Sequence, residues 1–243
     1  MNHFPDPVAA YDRVAAHYDR LAESRRAYLA SVENLIVARV PPGSRTLLDI
    51  GGGSGRRGLN IARQAGIEGV ALLEPSAAMR QRASKEVEIW PMRAQELDPH
   101  TPPAQGRRFD VIICLWNVLG HIPSAALRVQ ALSGLRALLS PRGVFFVDVN
   151  HRYNASSYGW PRTALRFLRD RLRPGEMNGD VTARWQFDGE TCSTYGHVFT
   201  GREMEVLAET ARLKISERLV VDYDSGKIRR FSFQGNLLYV FRA

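Results

Sequence analysis

The run Leu47-Leu48-Asp49-Ile50-Gly51-Gly52-Gly53-Ser54-Gly55 constrains this chain more than any other stretch. An apolar, strand-like segment runs straight into four glycines within five residues, and a helical pattern follows from Arg56 to Ala65. The chain must therefore pass from strand to helix through a tight turn with little side-chain bulk. Glycines there let the backbone approach a ligand closely, and the helix points its free N–H groups at the same spot. In an open parallel sheet that spot lies at the carboxyl end of the first strand, the usual ligand crevice.

The elements around this turn alternate. Two helices are expected between Val8 and Val40, ended by Pro41-Pro42-Gly43. Apolar strands are expected at 46–50, 69–74, 87–92, 109–116 and 144–149. Helices fill the gaps at 56–65, after Pro75-Ser76 and at 124–139, and Ser140-Pro141-Arg142-Gly143 reads as a turn. Five strands alternating with helices predict a doubly wound α/β fold. Beyond Asn150 the pattern changes to a helix at 163–172, a hairpin turning at Asp188-Gly189, a helix at 202–212 and two closing strands at 214–222 and 228–241. The expectation is a mostly parallel seven-stranded sheet with helices on both faces, an antiparallel last strand, and a small antiparallel hairpin and helix inserted after strand five.

Composition narrows the classes. No apolar run approaches the roughly 20 residues that span a bilayer, and the first residues lack the pattern of a signal peptide, so a soluble, cytoplasmic protein is expected. Cys114 and Cys192 are too isolated to form a disulfide framework, and the scattered histidines predict no metal site. A net charge of +8 points to an anionic partner: a phosphorylated metabolite, nucleic acid or an acidic membrane surface. Because Lys85, Lys214 and Lys227 are the only lysines, an arginine-rich composition explains the same charge without any ligand.

Two ligands suit the turn. Gly53-Ser54-Gly55-Arg56-Arg57-Gly58 has dinucleotide spacing, which would imply a nicotinamide-dependent oxidoreductase. Asp49, at the very end of the first strand, would then face a pyrophosphate; a cationic ligand without phosphates, such as S-adenosylmethionine, tolerates it. Glu74, 23 residues after Gly51, can accept both hydroxyls of a ribose in either case.

Five motifs in order decide between them. They are Tyr11-Asp12-Arg13-Val14-Ala15-Ala16-His17-Tyr18-Asp19, the turn from Asp49 to Gly55, Leu73-Glu74-Pro75-Ser76, Arg93-Ala94-Gln95-Glu96-Leu97, and Phe109-Asp110-Val111-Ile112-Ile113 through His121. Together, over about residues 8–150, they resemble the class I S-adenosylmethionine-dependent methyltransferases. The resemblance implies that Gly51, Gly53 and Gly55 pass beneath the donor and that Asp49 holds its methionine end. It gives Glu74 the ribose and lets Ser76 and Met79 line the adenine pocket. Where the family often carries an acid before Ala this chain has Arg93, which leaves the adenine contact to the backbone of Ala94 or Gln95. Leu115 and Trp116 would end strand four beside the sulfonium, with Tyr11 and Tyr18 closing the site. The chain divides accordingly into one methyltransferase domain over 1–243, with a helical lid at 8–40, a donor-binding core at 45–150, an acceptor-side elaboration at 151–212 and closing strands at 213–243.

Methyl transfer from a sulfonium needs alignment and a dry pocket more than acid catalysis. A base is needed only for a hydroxyl or a protonated amine, and His121 and His151 are the candidates. Tyr153, Tyr158, Trp160, Trp185 and Tyr195 are the aromatic residues available to an acceptor cavity. With no appended RNA-binding module in the sequence, the expected acceptor is an O or N atom of a small, possibly anionic molecule. The alternative is a tRNA or other nucleic acid on the basic surface, including Arg162, Arg166, Arg169 and Arg173.

Overall fold

The computed structural model describes residues 5–242. Helices α1 (Pro7–Val14), α2 (Tyr18–Glu23) and α3 (Arg26–Val37) come first. Two helices were expected here, and three form: Ala15–His17 tightens into a 3-10 turn, and the Ser24 hydroxyl donates back to the Leu21 carbonyl where α2 ends. Then β1 (Thr46–Ile50), α4 (Arg56–Ala65), β2 (Gly69–Leu73), α5 (Ala77–Arg80), β3 (Glu88–Trp90), β4 (Phe109–Cys114), α6 (Ala125–Leu138) and β5 (Leu139–Val149) alternate as the apolar periodicity requires. Beyond them lie α7 (Ala155–Tyr158), α8 (Trp160–Leu172), the hairpin β6 (Asp180–Phe187) and β7 (Glu190–His197), α9 (Gly201–Thr210), and the closing strands β8 (Lys214–Val221), β9 (Ile228–Arg229) and β10 (Asn236–Arg242).

The main sheet runs β3-β2-β1-β4-β5-β10-β8-β9. Strands β1 to β5 pair in parallel, and β10 is antiparallel to both its neighbours. The order reverses between β1 and β4, so their carboxyl ends frame a crevice at the glycine turn. Successive residues of each inner strand face opposite layers: Leu47, Val111 and Phe146 pack with α3 and α4, while Leu48, Ile112 and Phe145 pack with α6 and α9.

Two details differ from expectation. The sheet has eight strands, because the run 228–241 is broken: the Gln234 side chain caps the Phe231 N–H in a 3-10 turn, leaving β9 as a two-residue edge and β10 as a separate strand. Ser140–Gly143, expected as a turn, lies inside β5, where the pairing with β4 shifts register between Phe109 and Val111.

Candidate active site

The glycine turn is built around a carboxylate. A Cβ at Gly52 would sit 2.1 Å from Asp49 Oδ2, so only glycine leaves room for that side chain under the turn. At Gly53 φ is +62°, a left-handed conformation that favours glycine, and a Cβ there would push on the tip of Met79. Asp49 Oδ2 is buried with no hydrogen-bond partner. Burial pushes its carboxyl up to about 7, against the pull of the nearby Arg57 charge.

Glu74, just past β2, is tied to the same turn. One carboxylate oxygen accepts the Gly53 N–H at 2.9 Å and the other the Ser76 N–H at 2.8 Å. Burial raises its carboxyl to about 7 even with these two donors opposing the shift. A carboxylate oxygen has further lone pairs, so Glu74 can still accept hydroxyl groups from the cavity it faces.

That cavity has a volume of about 80 Å³, below the roughly 300–1,000 Å³ usual for small-molecule sites, because the N-terminal segment closes down on it. Tyr18, Gly51, Gly53, Glu74, Met79, Ala94, Gln95 and His121 all line it. Pro7, Val8 and Tyr11 of the N-terminal segment form its cover. Ser76 stands behind the wall instead: it N-caps α5 and donates to Asp12, tying α1 to the rim. Gly55 opens α4 against Leu72 and Val87, and Leu115 is buried in the core.

Trp116 faces a second cavity of about 320 Å³, which shares Tyr18 with the first and is also lined by Gly52, Ser54 and Arg57. Arg57 was missed in the sequence; its signal was its place in the first turn of the helix after the glycines. Its Nε donates to Glu33 at 2.7 Å, while its Nη2 is buried without a partner. Asp49 and Arg57 thus each keep one buried polar atom without a hydrogen bond beside the turn.

The loop after β4 is strained. Trp116 and Asn117 hold φ of +57° and +65°, conformations that cost roughly 1–3 kcal/mol each in a non-glycine residue. Asp148 offsets the cost by accepting the Trp116 N–H at its carboxylate and the Asn117 N–H at its carbonyl, both at 3.0 Å. The Trp116 indole donates to Tyr223 and meets the Tyr18 ring with centroids 5.8 Å apart.

This turn delivers His121 to the first cavity. Its Nδ1 lies 2.8 Å from the Tyr195 carbonyl, which can only accept, so Nδ1 carries the proton and Nε2 accepts from the Tyr11 hydroxyl at 3.0 Å. Burial lowers the imidazole's pKa and raises that of Tyr11, so both are neutral.

His151 is not part of this arrangement. Its ring is spent on the Ser232 carbonyl at 2.8 Å and its N–H on Asn236, joining the end of β5 to the closing strands, and burial pushes its pKa down to about 4. The five aromatic residues do not converge either. Tyr153 donates to Asp170, Tyr158 lies under the Arg166 guanidinium, Trp160 packs on Phe233, Tyr195 donates to Asp180, and the Trp185 ring reaches the cover, 5.1 Å from Tyr11.

Comparison with known proteins gives this site a family. A model described as a methyltransferase domain matches residues 3–217. The chain belongs to the methyltransferase family. No curated protein matches it in sequence. Among solved structures, an S-adenosylmethionine-dependent methyltransferase from Clostridium acetobutylicum is 16% identical with a TM-score of 0.64, covering 96% of this chain and 98% of its own. An amino pentose methyltransferase from Micromonospora echinaspora, solved with S-adenosylmethionine bound, is 17% identical at a TM-score of 0.58, over 94% and 95% of the two chains. A sugar N-methyltransferase from Streptoalloteichus gives 17%, 0.58 and 93% of each.

The protein is a methyltransferase and shares the class I, Rossmann-like fold of S-adenosylmethionine-dependent methyltransferases, which removes the oxidoreductase alternative. Its residues fit that donor on the observations above: a glycine cradle that a Cβ would fill, an acceptor carboxylate at Glu74, and an orphaned acid and an orphaned guanidinium beside the turn. Arg93, where the family often has an acid, donates from Nη2 to both carboxylate oxygens of Asp6, the N-cap of α1, at 2.9 and 3.0 Å. In this methyltransferase the departure serves the cover.

Proposed function

We propose that this methyltransferase transfers the donor's methyl group to a nitrogen or oxygen of a small molecule enclosed beneath the N-terminal helices. The observation that carries this reading is the tethered cover. Asp6 pairs with Arg93, Arg13 with Glu190, Asp19 with Arg82 and Arg20 with Asp188, so α1 and α2 are pinned to both the core and the hairpin. Such exposed pairs are individually weak, so the cover can lift for exchange, yet in place it closes over the cavity, which suits a small acceptor better than a polynucleotide. Two of the solved relatives act, by their names, on an amino pentose and on a sugar nitrogen, which supports a small acceptor.

The donor supplies a methyl group already activated on a sulfonium. The chain's own residues bind and orient. Glu74 would take the ribose hydroxyls, the Ala94 and Gln95 backbone the adenine edge, and Met79 its apolar face. Asp49 would hold the ammonium and Arg57 the carboxylate of the methionine end, on the far side of Tyr18. The Tyr18 and Trp116 rings offer π faces where positive charge is concentrated. For an acceptor that must lose a proton, Tyr11 would take it at its oxygen while passing its own to His121 Nε2.

Incubating protein and isotopically labelled donor with a metabolite extract and total tRNA tests the acceptor class. Label should appear in a small molecule, and label confined to tRNA would overturn the assignment. The Arg57 role has a separate test. Arg57→Met should weaken S-adenosylmethionine binding by calorimetry about tenfold, as expected for losing a charge-assisted contact, while binding of the decarboxylated donor stays unchanged. Equal losses for both ligands would show that Arg57 only supports the turn.

A further inference from the structure

Helix α8 is turned the opposite way from a helix lying on a water-exposed surface. Its inward groups are polar: Thr163 is buried, Arg166 donates to the Arg152 carbonyl at 3.2 Å, and Asp170 accepts from Arg152 and Tyr153. Its outward stripe is apolar, with Leu165, Leu168 and Leu172 at i, i+3 and i+7 exposed by 68%, 54% and 70%. A surface helix ordinarily buries that stripe against its own core. Six of the ten large apolar side chains exposed among the described residues lie between Trp160 and Met177, so the exposure is concentrated here rather than scattered.

Charge identifies what covers it. Arg162, Arg169 and Arg173 follow one flank of the leucine stripe and Arg171 the other, while the one acid of the helix, Asp170, is turned inward and spent on Arg152. A symmetric contact with a second copy would set arginine against arginine. An RNA would engage the arginines and leave the leucines wet. A surface that is anionic outside and apolar just beneath matches both features at once. No helix among the described residues is long and apolar enough to cross a membrane, and the 13 residues of α8 suit lying along one.

We propose that α8 seats the enzyme on an anionic phospholipid surface, with Leu165, Leu168 and Leu172 in the headgroup–acyl boundary and the flanking arginines on lipid phosphates. Binding then combines buried apolar area with screened electrostatic attraction, so it weakens with added salt.

Cosedimentation of the full chain with vesicles tests this. The protein should partition onto phosphatidylcholine vesicles containing about a third phosphatidylglycerol roughly tenfold more than onto phosphatidylcholine alone. Leu165→Gln with Leu168→Gln should lower that partition by roughly tenfold, because two apolar side chains leave the boundary. Donor affinity by calorimetry should be unchanged in the double variant, which shows that the fold and the methyltransferase site are intact. Absence of binding to the anionic vesicles, or equal binding by the double variant, would overturn the proposal. So would a dimer in light scattering that the double substitution dissolves, since a second copy would then cover the stripe. Retention of total tRNA that displaces the vesicles would assign the arginines to nucleic acid instead.

Discussion

His121→Gln should lower kcat about a hundredfold at saturating donor while donor affinity stays within about twofold. The split follows from where the imidazole stands. Its Nδ1 proton is committed to the Tyr195 carbonyl and its Nε2 lone pair to the Tyr11 hydroxyl, so it is a neutral base that takes a proton through Tyr11 at the cavity wall. Glutamine keeps a side-chain amide there but has no group that can take a proton. Burial holds the His121 pKa below 6.5, so in the wild type the rate should be flat above that value and fall as pH drops through the lowered pKa. In the variant that acid limb should disappear. If donor affinity instead falls in step with kcat, His121 works by holding Tyr11 and the cover in place. An unchanged kcat with unchanged affinity would mean that the acceptor reaches the site already deprotonated.

Arg152→Met should destabilise the fold by about 3–5 kcal/mol, lowering the melting temperature by roughly 10 °C or more. The Arg152 side chain is 3% exposed and bridges Asp170 of α8 at 3.0 Å and Glu203 of α9 at 2.6 Å, while its Nε donates to the Val198 carbonyl. Methionine fills much of the same space but leaves two carboxylates without their cation. Burial by itself would raise the Glu203 carboxyl, yet His197 and Arg152 hold it at about 2, against an ordinary value of 4.5. Its contribution to stability is therefore complete above that ordinary value and is lost as pH falls toward about 2. Thermal melts of wild type and variant should converge as the pH is lowered through that window. A variant that melts with the wild type at neutral pH would show that solvent already screens the network.

The element order was legible because each inner strand is a short apolar run bounded by turn residues, and because strand, glycines and helix follow without a gap from Thr46 to Ala65. The donor-side residues could be placed by register: Gly51, Gly53, Glu74, Met79 and Ala94 sit at or just beyond strand ends, where local spacing fixes position. What was not legible depends on contacts between distant segments. Asp6 and Arg93 lie 87 residues apart, and nothing local marks them as a pair. Arg57 reads as one more arginine in a basic helix until its Nη2 is found buried beside Asp49. His151 occupies the same place after β5 that His121 approaches after β4, yet the closing strands capture its ring, a contact that only the tertiary fold creates. The break between β9 and β10 escaped for a similar reason, since Phe231 and Phe233 continue the apolar pattern through a turn that the Gln234 side chain closes.

The loop after β4 reaches the inserted hairpin through two hydrogen bonds, Asn117 Nδ2 to the His197 carbonyl and His121 Nδ1 to the Tyr195 carbonyl. Both end on main-chain oxygens of β7. The donor chamber is therefore insulated from the identity of the hairpin's side chains at those points and senses only its backbone path. Substitutions along β6 and β7 that spare Trp185 and Glu190, which touch the cover, leave these two bonds and the strained bend at Trp116 in place.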